Sequence, residues 1–123
     1  MASRYLLTGP SGGQYHFVLK AGNGETILTS ERYTTKAAAN NGIQSVKTNS
    51  SIDARYVRKN ATNGKPMFNL KAGNGEIIGS SETYSSDAAR EGGITSVKVN
   101  GPSAPIDDPV SYTHLTLPTI LLV

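Results

Sequence analysis

The sequence predicts an α+β fold: two tandem β-β-β-α repeats related by a pseudo-two-fold, forming an antiparallel sheet with both helices packed on one face. Three observations predict it. Residue n matches residue n+51 without a gap, setting Phe17 over Phe68, Leu19 over Leu70, Tyr33 over Tyr84 and Val46 over Val97, and a fixed period is the mark of a duplicated unit. Between Gln14–Ser50 and Lys65–Gly101, 20 of 37 positions are identical, so both copies should fold alike. Each copy carries Asn-Gly between apolar runs, a strong hairpin signal, and then an alanine-rich stretch with helical apolar spacing. A repeat of about fifty residues without cysteine is marginal alone. The copies are therefore expected to share one core.

In the first repeat (3–50), Tyr5 and Leu7 alternate along Arg4–Thr8 and predict a first strand. Gly9-Pro10-Ser11-Gly12-Gly13 is expected to end it, since that composition supports no regular element. Gln14–Ala21 reads as the second strand, with Tyr15, Phe17 and Leu19 inward and His16, Val18 and Lys20 outward. Glu25–Ser30 is the third, with Ile27 inward. A two-residue loop at Asn23-Gly24 would set Lys20 opposite Ile27 and put a charge on the core face. A three-residue loop, Gly22-Asn23-Gly24, with Gly24 left-handed, sets Leu19 opposite Ile27 and is the expected register.

Thr34–Lys47 predicts the helix. Threonine caps the first turn, alanines favour the next, and Ala39, Ile43 and Val46 fall on one stripe. Gly42 interrupts good helix formers, as Gly93 does in the other copy. Close approach of helix to sheet is the expected reason; a helix broken there by a left-handed cap is the alternative. Lys47, in the last turn, complements the helix dipole.

Thr48–Ala54 reads as a linker. The second repeat (54–101) follows as strand Arg55–Lys59, turn Asn60–Gly64, strands Lys65–Ala72 and Glu76–Ser81, and helix Ser86–Val99. Pro66 replaces Tyr15, which places that end of the strand at an edge or a strand start. Gly79 replaces Leu28 and Asn69 replaces Val18, both on the face read as outward. The domain is thus expected to span 1–101, leaving 102–123 as an irregular tail. From about residue 110 the tail resembles the translation of a sequencing adapter appended to an environmental reading frame. It is read as non-native, and its His114 is set aside.

Cysteine is absent, so no disulfide is possible, in keeping with a cytoplasmic location. No apolar run reaches membrane-spanning length. The formal charge is +3, and residues 1–101 hold twelve basic against seven acidic side chains. That surplus is compatible with nucleic acid as a partner.

The shared string, carried by Phe17–Glu25, Ile27, Ser30-Glu31, Tyr33, Gly42-Ile43 and Ser45–Lys47 and again by Phe68–Glu76, Ile78, Ser81-Glu82, Tyr84, Gly93-Ile94 and Ser96–Lys98, resembles the YegP family of small uncharacterised bacterial proteins. The resemblance spans roughly 3–101 and implies the β-β-β-α repeat fold. It implies no activity.

The inventory for chemistry is thin. There is no cysteine nucleophile, no Gly-x-Ser-x-Gly elbow and no cluster at metal-ligand spacing. The expectation is no catalytic residue, no metal and no cofactor. Gly22-x-Gly24 and Gly73-x-Gly75 join strands, whereas a phosphate loop opens a helix. Four polar positions recur in both copies. Lys20 with Lys71 and Lys47 with Lys98 form the candidate partner surface. Glu25 with Glu76 and Glu31 with Glu82 are read as a hairpin flank and a helix approach. The expected function is a non-enzymatic binding or interaction module, with self-association to a homodimer through sheet edges as one mode open to it. The alternative is nucleic-acid binding through the basic surplus.

Overall fold

A computed structural model describes residues 2–108. Among them the order is β1 (Arg4–Ser11), β2 (Gln14–Lys20), β3 (Thr26–Ser30), α1 (Lys36–Asn49), β4 (Tyr56–Asn60), β5 (Pro66–Lys71), β6 (Ile77–Ser80), α2 (Asp87–Asn100) and β7 (Ile106–Asp107). The strands form one sheet in the order β4-β5-β6-β3-β2-β1-β7. β3 and β6 join the repeats antiparallel, Thr29 opposite Ser80 and Ser30 opposite Gly79, so the pseudo-two-fold passes between them. Both helices lie over one face. Beneath them Phe17, Leu19, Ile43 and Val46 share a single core with Phe68, Leu70, Ile94 and Val97.

The hairpin loops follow the predicted three-residue form: Ala21 N–H donates to Glu25 C=O at 2.9 Å, and Gly24 has φ +86°. The register beyond the loop differs from the expected one. Leu19 pairs with Leu28 and Lys20 with Thr26, leaving Ile27 as a bulge residue. A bulge turns two consecutive side chains toward one face, so Leu28, expected outward, is buried beside Ile27. Ile78 is the bulge of the second hairpin, between Leu70–Gly79 and Lys71–Ile77. β1 also outlasts its expected end. It passes an irregularity after Thr8 and turns at Gly12-Gly13, where φ of +60° and +76° suits a tight hairpin onto Gln14.

Thr35 and Ser86 cap the helices, their hydroxyls accepting from Ala38 N–H and Ala89 N–H at 3.0 Å. α1 runs unbroken through Gly42, whose φ is not positive, which removes the left-handed-cap alternative. The close approach is to aromatic rings, one of them carried by the sheet: a Cβ at Gly42 would stand 2.8 Å from Tyr33 Cζ and 3.0 Å from Phe17 Cε2 of β2, and one at Gly93 2.5 Å from Tyr84 Cζ. At the other end of the helices, the first-strand tyrosine of each repeat seals the helix of the other. Tyr56 donates to Ser50 C=O and Tyr5 to Gly101 C=O, each at 2.6 Å. The bonds satisfy terminal helix carbonyls that would otherwise be buried without a donor.

Where the two copies meet their own equivalents, their sequences have diverged. A Cβ at Gly79 would lie 2.8 Å from Thr29 O and 3.1 Å from Leu28 Cγ; one at Gly101 would lie 2.7 Å from Ser50 Cβ. Two identical side chains cannot fill the same space on a pseudo-two-fold, so one copy holds glycine.

The domain does not close at Gly101. Tyr5 N–H donates to Pro105 C=O at 2.8 Å, Ala104 is buried, and Ile106-Asp107 pairs parallel with β1. The reason is topological. α1 leads through 50–55 to β4 beside β5; α2 makes the equivalent crossover, but the place beside β2 is already filled by β1. The strand therefore adds outside it, making a seventh strand and one parallel pair in a sheet expected to be antiparallel with six at most. Prolines do not prevent this, because a two-residue outer strand needs few amides. β7 thus covers the β1 edge, while among the described residues β4 is an open edge. The adapter-like stretch from residue 110 lies outside the described residues.

Candidate functional site

The four lysines expected to form a partner surface occupy two different places. Lys20 and Lys71 alternate with the buried Leu19 and Leu70 and so stand on the sheet face away from the helices, where Lys20 neighbours Arg4 and Thr26. Lys47 and Lys98 are on the helix side and are internally engaged. Lys47 Nζ donates to Ala104 C=O at 2.7 Å and sits 5.2 Å from the Tyr5 ring centroid. Lys98 Nζ reaches Asp53 at 2.6 Å and sits 5.7 Å from the Tyr56 ring. The Lys98 and Arg58 hydrogen bonds hold the Asp53 carboxyl below its usual range. His16 Nδ1 lies 3.2 Å from Arg32; partial burial and that guanidinium lower its pKa. Among the described residues, no group of three or more His, Cys, Asp or Glu could hold a metal.

Two clefts, of about 620 and 410 Å³, open between the repeats. In the larger, the first repeat's hairpin supplies Ala21, Asn23, Glu25 and Ile27, and the second repeat supplies Glu82, Tyr84, Gly93 and Ser96 from α2 and its approach. The smaller reverses the roles: Ala72, Asn74, Glu76 and Ile78 face Glu31, Tyr33, Gly42 and Ser45. Ten equivalent positions line both clefts, and eight hold the same residue; Thr26 against Ile77 and Asn41 against Gly92 are the differences. Neither cleft contains Lys20, Lys71, Lys47 or Lys98.

Local structure explains how these groups are placed. Asn23 and Asn74 each accept from the N–H two residues on, at 3.0 Å, which fixes the loop and the position of the following glutamate. Ser30 and Ser81 accept from Phe17 and Phe68 N–H at 2.9 Å and donate to Glu31 and Glu82 C=O. The next residue is thereby turned out of the ladder toward the cleft. Tyr33 and Tyr84 stack on Phe17 and Phe68 with near-parallel rings, and the glycine opposite lets each phenol lie against the helix.

The electrostatics are those of an acidic recess. Burial, and then Glu82 and Glu25, raise the Tyr84 pKa, so carboxylates from both repeats act on one hydroxyl. Burial, and then Glu31, raise that of Tyr33. Glu31 and Glu82 do precede α1 and α2, which begin at Lys36 and Asp87, but each stands five positions before the helix, beyond the turn over which the helix dipole acts. The signal for the clefts was already present in the recurrence of these glutamates where neither packing nor capping calls for them.

Comparison with known proteins agrees with this architecture. The family model for a domain of unknown function, DUF1508, matches twice, over residues 11–56 and 61–108. The second match runs through β7, in line with a domain that continues past Gly101. A UPF0339 protein of Shewanella oneidensis is 58% identical over 108 residues, covering 88% of this chain and 98% of that protein. The UPF0339 protein YegP of Escherichia coli K12 is 56% identical over the same length, again with 88% and 98% covered. The solution NMR structure of the Shewanella protein gives a TM-score of 0.81, covering 88% of this chain and 92% of that one. That of the E. coli protein, 55% identical, gives 0.82, covering 89% and 94%. With two domain copies spanning most of its length and relatives this similar over nearly their whole lengths, the chain belongs to the DUF1508 family of YegP-like proteins.

Proposed function

We propose that the protein is a small non-enzymatic binding module and that its binding sites are the two equivalent clefts. One observation carries this: eight residues line both clefts in equivalent places, although the two sides of each cleft come from different repeats. The fold accounts for some of them. Ala21, Ile27 and Gly42 pack the core, and Asn23 builds a loop. It asks for no carboxylate at residues 25, 31, 76 or 82. Cleft volumes of this size suit a small molecule or a side chain. Among the described residues no pairing of nucleophile and base lines either recess, and the chemistry this supports is recognition. Cysteine-free composition suits a cytoplasmic compartment, and among the described residues no helix is long and apolar enough to cross a membrane.

Nucleic-acid binding is the less favoured reading. The tyrosines that could stack bases lie in the core or against the helix glycines, whereas Lys20 and Lys71 stand on the opposite face. A single-strand platform needs both on one surface. The test is a small-molecule library screened against the ¹⁵N-labelled protein by NMR. Perturbed amides should cluster at 23–27, 82–84 and 92–96, and at their equivalents. Perturbation confined to β4 or to the open sheet face would refute the assignment.

A further inference from the structure

We propose that each cleft takes an organic cation, an ammonium or guanidinium on a short apolar stem; this rests on the cleft assignment above. The inference starts from how the nine acidic side chains are used. Five are ion-paired: Asp53 with Arg58 and Lys98, Glu91 with Arg58 and Arg90, Asp87 with Arg90, Asp107 with Arg4, and Asp108 with Lys36. The other four are Glu25, Glu31, Glu76 and Glu82. Among the described residues none of these four has an ion pair, in a chain of net charge +3 that does not lack cations. All four line the clefts, two in each. Among the described residues, the side-chain carboxylates without an ion pair are therefore confined to the two recesses.

The tyrosines divide in the same way. Tyr5 and Tyr56 donate to helix carbonyls, whereas Tyr33 and Tyr84 stand in the clefts with no hydrogen-bond acceptor for their hydroxyls among the described residues. Each recess thus offers two carboxylates, an aromatic ring and an apolar floor of alanine and isoleucine. A cationic head satisfies the carboxylates and lies against the ring, while a methylene stem covers the floor. An anion would meet two carboxylates of its own sign. The volumes, about 620 and 410 Å³, exceed the needs of a bare ion, and a hard divalent ion prefers six or more oxygens at close range.

The test uses the full ¹⁵N-labelled chain and five probes: butylammonium, agmatine, neutral butyramide, butyrate and calcium chloride. Butylammonium and agmatine should shift the amides of 23–27, 82–84 and 92–96 and their equivalents, more weakly as salt is raised; butyrate should not. The double variant Glu25→Gln/Glu82→Gln should weaken the larger cleft for the cations by about tenfold, leaving the Glu31/Glu76 cleft as an internal reference. Glu31→Gln/Glu76→Gln should do the converse, and the wild-type contrast between butylammonium and butyrate needs no variant. If butyramide or butyrate shifts the cleft amides as strongly as butylammonium, the cation inference falls and the cleft assignment stands. It also falls if calcium alone shifts them. If none of the probes perturbs either cleft, both fall.

Discussion

Gly92 and Gly93 are neighbours in α2, yet alanine should have opposite effects at the two. At Gly92 a Cβ meets nothing within 4 Å, so Gly92→Ala should gain about 0.5–1 kcal/mol of helix stability. At Gly93 the same gain is available, but the Cβ would stand 2.5 Å from Tyr84 Cζ. The ring must move. It is stacked on Phe68 with centroids 6.4 Å apart and planes at 12°, and giving up such a pair costs about 0.5–1.5 kcal/mol beyond lost burial. Overpacking at comparable sites costs about 1–3 kcal/mol in all. Gly93→Ala should therefore be destabilised by about 0.5–2 kcal/mol net, and the two variants should differ by about 1–3 kcal/mol. Urea unfolding followed by circular dichroism measures this, with an unchanged slope to show that the unfolded state is the same. In a Tyr84→Ala background, Gly93→Ala should become stabilising, since the obstacle is gone. If Gly93→Ala is as stable as Gly92→Ala in the wild-type background, the ring moves aside freely and the explanation of the repeated glycine is wrong.

Ending the chain at Gly101 removes the Pro105 acceptor of Tyr5 N–H and the buried Ala104. Compared with a chain ending at Asp108, it should lose about 2–4 kcal/mol, or roughly 10 °C or more in Tm; equal melting would mean that β7 contributes nothing. Gly79→Leu places its side chain against Thr29 C=O, which is backbone and cannot give way. A loss of about 2 kcal/mol or more is expected, and a neutral result in thermal melts would contradict the account of the pseudo-two-fold. Tyr5→Phe leaves Gly101 C=O without its phenol donor and should cost about 1–3 kcal/mol by urea titration; an unchanged midpoint would show that water replaces the bond. Burial raises the phenol pKa of Tyr5, Tyr56, Tyr33 and Tyr84. A raised folded pKa means stability that is full below the unfolded value near 10 and is lost as pH rises above it, because the unfolded chain ionises first. Melting temperature should therefore fall from about pH 10, less steeply in Tyr5→Phe; a flat profile to pH 11 would refute it.

Local information sufficed for much of this fold. The period of 51, the Asn-Gly loops with Gly24 left-handed, the Thr35 and Ser86 caps and the apolar helix stripe all depend on contacts within a few residues or on one copy echoing the other. Tertiary structure decided what depends on meetings between distant residues. The bulges at Ile27 and Ile78 shift the register by one and bury Leu28, because the sheet centre needs a side chain there that Gly79 cannot supply. β7 exists because β1 already fills the position that the second crossover would take. The clefts belong to the same class. Glu25 and Glu82 are 57 positions apart and belong to different repeats, and only the joining of β3 to β6 brings them to one recess. A repeat shows which residues are kept in both copies; the pseudo-two-fold determines which of them meet, and that meeting is what sets two carboxylates in one recess.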